Sequence, residues 1–131
     1  MSSSAAVSTS GSQHPPGTIV HLITLKYAPH VSEEAKQDTA ADFLALKDKC
    51  RLPDGTTYIQ SFDGGPNNSP IGLEKGMEYA FVLTFKSGEA RDYYEAEDPA
   101  HQAFKAVILP NISDISVFDF ETGAFARRTL G

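Results

Sequence analysis

The chain has 131 residues, enough for one domain and little more, with a net charge of −6 and a single cysteine. No basic surplus exists to neutralise phosphates, so nucleic acid is a poor partner, and one cysteine can form neither an internal disulfide nor a cysteine-based zinc framework. Apolar residues make up 40% of the chain but come in runs of only a few, too short to span a bilayer.

Residues 1–17 are mostly Ser, Ala, Gly and Pro, without a basic start or an apolar stretch. They read as a flexible tail rather than a signal peptide, and with the lone thiol they suit a reducing, cytoplasmic setting. Residues 18–27, TIVHLITLKY, alternate as a strand, with Ile19, His21, Ile23 and Leu25 on one face and Val20, Leu22 and Thr24 on the other. A helix is predicted over residues 32–50, with Ser32 as N-cap and Ala35, Phe43, Leu46 and Cys50 as its apolar stripe. The LPDG turn chemistry at 52–55 leads to a second strand over 57–62. Residues 63–76, DGGPNNSPIGLEKG, are predicted as a long polar loop.

Residues 78–85, EYAFVLTF, give the clearest strand, with Tyr79, Phe81, Leu83 and Phe85 opposed to Ala80, Val82 and Thr84. A short helix is predicted over 87–97. Asp98 followed by Pro99 then restarts a helix as N-cap and first helical residue, running to about residue 109. Residues 113–120 form the last strand, with Ile115 and Val117 on one face and Phe118 and Phe120 on the other, and residues 122–131 are a C-terminal tail.

The order β-α-β-β-α-β is that of an α+β, ferredoxin-like protomer. Two helices cover one face of a four-stranded sheet, yet several strands are apolar on both. The second face carries Val20, Leu22, Ala80, Val82 and Phe118, a large exposed patch for a monomer. A second copy of the same sheet covers it most simply, as a two-fold homodimer with a sheet-on-sheet core.

Of the chemistry-bearing residues, His101 lies one turn into the second helical segment, in phase with Phe104 and Ile108, which turns it toward the sheet. Tyr93 and Tyr94 lie in the preceding helix, close enough for one hydroxyl to approach it, and a buried His and Tyr can exchange protons without a metal. His21 interrupts an apolar strand face, where a core histidine bonded to a carbonyl is the simpler reading. His30 sits in a loop and reads as solvated. The acidic residues Glu89, Asp92, Glu95, Glu97 and Asp98 match no calcium loop and read as a solvated helix face. No phosphate-binding glycine loop or nucleophile elbow occurs, and Cys50 reads as packing.

IVHLITLKY, the loop GGPNNSPIGLEKG running into EYAFVLTF, the segment DYYEAEDPAHQAF and the closing VFDF together resemble the stress-responsive dimeric A/B barrel (Dabb) family over residues 18–121. That family includes olivetolic acid cyclase-like proteins. The resemblance implies a ferredoxin-like protomer whose two sheets form a dimeric α/β barrel. It also implies His101 as base, with Tyr94, or Tyr93 as the lesser candidate, assisting it, His21 of the pocket as a further catalytic residue, and no metal or other cofactor. Tyr79 stands where many relatives carry His, and Phe43 where the cyclase carries Tyr, so the pocket's polar lining differs. Two functions fit. One is a cofactor-free cyclase or lyase acting on a phenolic or polyketide-like molecule held by Ile23, Leu25, Phe43, Tyr79, Phe81, Phe104, Ile115 and Val117. The other is a non-catalytic stress-response protein that binds a hydrophobic ligand or partner.

Overall fold

A computed structural model describes residues 14–125; of the expected tails, 1–17 and 122–131, residues 1–13 and 126–131 lie outside the described residues. The first alternating run becomes strand β1 (Ile19–Tyr27). Ser32 accepts from the Ala35 amide at 3.1 Å and starts helix α1 (Glu33–Leu44), whose first turn carries Glu33 and Glu34 at the positive end of the dipole. One helix through Cys50 was expected. Instead a tightened turn at Ala45 separates α1 from a short α2 (Leu46–Lys49), and Leu46 and Cys50 are both buried in the core.

Strand β2 (Ile59–Pro66) runs four residues beyond its expected end, so the polar loop begins only at Asn67. Glycine and proline suggested a loop there, but Gly64 and Gly65 stay in register with Phe81 and Ala80. A Cβ on Gly64 would lie 2.4 Å from the Phe81 ring, so only the bare backbone lets that ring pack close against the strand. Strand β3 (Tyr79–Phe85) leads to helix α3 (Gly88–Ala96), capped by Ser87. Helix α4 (Pro99–Ile108), a 3-10 turn and strand β4 (Ile112–Glu121) complete the chain.

The sheet is antiparallel in the order β2-β3-β1-β4, which places β1 at the centre and β4 at an edge. The helices cover one face, where Ile19, Ile23, Leu25, Phe81, Leu83 and Phe85 meet Phe43, Leu46, Tyr94 and Ile108. On the opposite face Leu22 stands between Val82 and Phe118, and Val20 between Thr84 and Phe120. Val20 is already buried, but Phe118 is 65% exposed and Phe120 44%. An open groove of about 980 Å³ beside them is lined in part by Phe118, Phe120 and Phe125. No helix among the described residues is long and apolar enough to cross a membrane.

Candidate active site

The site is built from the start of α4. Asp98 is fully buried, which a carboxylate tolerates only when its oxygens are satisfied. Its Oδ1 accepts from the amides of Ala100 (2.8 Å) and His101 (3.3 Å), and its Oδ2 from the Tyr58 hydroxyl at 2.6 Å. With Pro99 as the first helical residue, this cap fixes the first turn and aims His101 inward.

Nδ1 of His101 donates to the Tyr94 carbonyl at 2.7 Å, while its ring stacks on the Tyr94 ring, centroids 3.6 Å apart and planes within 10°. A carbonyl oxygen only accepts, so Nδ1 carries the hydrogen and Nε2 keeps its lone pair. Burial lowers the His101 pKa to about 4, against the opposing effect of the carbonyl bond, so the imidazole is neutral near pH 7.

A second histidine lies across the same space. His21 is 2% exposed; its Nδ1 is 2.5 Å from Asp119 Oδ1, and its Nε2 is 3.4 Å from Glu95 Oε2. Arg91 donates to the other Asp119 oxygen at 2.9 Å. The rings of Phe85 and Tyr94 meet His21 edge to face.

Both histidines line a cavity of about 80 Å³ between the sheet and α4. Its apolar walls are Ile23 and Leu25 of β1, Phe43 of α1, Phe104 and Ile108 of α4, and Ile115 and Val117 of β4; Glu95 and Lys105 complete the polar part. Because β4 is an edge strand, Ile115 and Val117 stay 43% and 54% exposed and form the mouth. Ligand sites usually enclose several hundred Å³. This one admits a small reacting group, with the remainder of a larger molecule lying over β4.

The Stress Responsive A/B Barrel Domain family matches residues 19–122. The chain belongs to this family. Among solved structures, this Dabb domain is similar to an Arabidopsis thaliana protein (24% identity, TM-score 0.69, covering 79% of this chain and 93% of the other). It is also similar to a hydroxynitrile lyase from Passiflora edulis (19%, TM-score 0.68, 82% and 94%) and to a dimeric ferredoxin-like protein from Jannaschia (25%, TM-score 0.65, 80% and 99%). A curated sulfate adenylyltransferase from Deinococcus deserti is 32% identical over 110 residues, 66% of this chain, which spans 27% of that protein's length.

Within the Dabb domain, His101, His21, Phe43, Ile23, Leu25, Phe104, Ile115 and Val117 all line the cavity. Tyr79 and Phe81 do not line it. They sit on β3, one strand further from the mouth, and the Phe43 ring stands between Phe81 (4.4 Å) and Phe104 (4.7 Å). Tyr94 meets His101 through its ring and carbonyl; its hydroxyl is buried without a hydrogen-bond partner among the described residues, and burial raises its pKa. Tyr93 turns away and donates to the Arg51 carbonyl at 3.0 Å. His30 is exposed beside Asn111.

Glu95 and Asp98 depart from the expected solvated acidic face, the first at the cavity and the second buried as the α4 cap. Asp119 was not anticipated, although its phase was readable: it continues the 115, 117 alternation and so falls on the helix-covered face opposite His21. Burial and nearby Asp98 push the Cys50 thiol up to about 12, which leaves it unreactive. Among the described residues no group of His, Cys, Asp and Glu is arranged to hold a metal ion.

Proposed function

We propose that this Dabb protein is a homodimer that performs cofactor-independent acid–base chemistry on a small carbonyl compound of polyketide-like or phenolic type, with His101 as proton acceptor and Tyr94 as its partner. The supporting observation is the His101 imidazole at an apolar cavity, its tautomer set by the Tyr94 carbonyl so that Nε2 is free to accept a proton. The low His101 pKa makes it a mild base, suited to an already acidic C–H such as that between two carbonyls. Removal of that proton gives a carbanion that can attack a second carbonyl of the same folded chain, and the apolar walls hold the two carbons together. Olivetolic acid cyclase-like ring closure is one reaction of this kind. Cleavage of a cyanohydrin, suggested by the similar hydroxynitrile lyase, needs the same base.

The homodimer reading rests on the uncovered apolar sheet face, and the similar Jannaschia protein is described as dimeric.

The test is a thermal-shift and turnover screen with phenolic and β-polycarbonyl compounds and mandelonitrile, comparing wild type with His101→Ala. Binding by both with turnover only in wild type is the expected result. Binding with equal turnover in both removes His101 from the mechanism, and binding without turnover in either favours a non-catalytic carrier.

A further inference from the structure

The two cavity histidines sit in opposite surroundings. Around His101 are an aromatic face and a carbonyl. Around His21 are two carboxylates, one at each ring nitrogen, from different elements: Asp119 of β4 and Glu95 of α3. A carboxylate is an acceptor only, and a neutral imidazole has one N–H, so serving both carboxylates takes the doubly protonated ring. The other groups around His21 are the Phe85 ring of β3, the Tyr94 ring of α3, and His101 and Lys105 of α4. Of the cations nearby, Arg91 is shared between Asp92 and the second oxygen of Asp119, and Lys105 donates to the Glu95 carbonyl at 3.0 Å.

We propose that His21, held between Asp119 and Glu95, is the proton donor of this cavity and His101 the acceptor, so that a carbonyl oxygen and its adjacent carbon are acted on together. This deepens, and rests on, the reading of His101 as base. Asp119 and Glu95 are positioning residues for the His21 proton, and Arg91 fixes Asp119.

The reaction step is an enolisation. The carbonyl oxygen takes the place of the Glu95 carboxylate at His21 Nε2. The Cα–H bond breaks and its proton goes to His101 Nε2. The C–H electron pair becomes the C=C bond, and the displaced carbonyl π pair takes the Nε2 proton of His21. The products are the enol, cationic His101 and neutral His21. Glu95, whose side chain is 37% exposed, then connects His21 to water for reprotonation.

The first experiment uses the full chain with 15N-labelled histidine and reads long-range nitrogen–proton spectra at neutral pH without ligand. His21 is expected to show the pattern of two protonated nitrogens, and His101 that of the neutral ring with hydrogen on Nδ1. Asp119→Asn combined with Glu95→Gln is expected to turn His21 neutral and leave the His101 pattern unchanged. If the double variant loses its fold, Glu95→Gln alone is read in the same spectra, where His21 Nε2 is expected to lose its hydrogen while Nδ1 keeps its own. A neutral His21 in wild type, or a charged one surviving in the double variant, overturns the proposal. The second experiment follows deuterium uptake from D₂O at the carbon between the two carbonyls of benzoylacetone. His21→Asn is expected to slow uptake about a hundredfold. Unchanged uptake in that variant overturns the donor role. A wild type that exchanges no deuterium counts against His101 as base, and the nitrogen spectra still judge His21 on their own.

Discussion

His101 is buried against the Tyr94 ring, and that burial makes it resist protonation although its bond to the Tyr94 carbonyl works the other way. Its pKa is about 4 in the folded chain against 6.5 in the open chain. Between those values the unfolded state binds a proton that the folded state does not, so stability rises with pH through this window. The contribution is fully present above about pH 6.5 and is lost as pH falls toward 4, by about 3 kcal/mol in total. Urea unfolding of wild type and His101→Gln at pH 7 and pH 4.5 checks this. Wild type is expected to lose about 2–3 kcal/mol more than the variant over that interval, and parallel losses would show that His101 is not held neutral. The same measurement bears on function, because the burial that destabilises the cation also makes His101 a proton acceptor at neutral pH.

Among the elements, β2 depends most on one residue. Alanine at Gly64 would set its Cβ 2.4 Å from the Phe81 ring and 2.7 Å from the Ala80 carbonyl, and Phe81 is packed against Phe43. Gly64→Ala is expected to destabilise by about 1–3 kcal/mol in denaturant unfolding, whereas Gly65→Ala, with open space around it, changes stability by about 0.5 kcal/mol or less. Equal effects would mean that Phe81 yields freely. This position also shows where sequence reading stops. Alternation identified β1, β3 and β4, and Asp98 with Pro99 marked the start of α4, because each is a local signal. The extension of β2 through Gly64, Gly65 and Pro66 is imposed by pairing with β3, a long-range effect that composition masks. The cavity follows the same division. His101 was readable from its phase with Phe104 and Ile108, while Glu95 and Asp119 gain their meaning only from the meeting of α3, β1 and β4 around His21.

For the whole molecule, β4 links the two faces of the sheet. One face of the strand presents Ile115 and Val117 to the cavity and Asp119 to His21, and the other presents Phe118 and Phe120 to the uncovered side. Covering a phenylalanine contributes about 1.5–3 kcal/mol, and two-fold symmetry counts each contact twice. Phe118→Asp is therefore expected to weaken self-association at least a hundredfold. Light scattering should find wild type near twice the 14.1 kDa chain mass and the variant at the single-chain mass, with its circular dichroism retained. A wild type that stays monomeric at high concentration would remove the dimer, and a variant that still pairs would move the interface elsewhere. Because the same edge strand holds Asp119 against His21, the monomeric variant is also expected to loosen that contact. Its His21 nitrogen signals should then broaden or shift although Phe118 lies on the opposite face, which distinguishes a dimer that braces the cavity from one that only covers apolar surface.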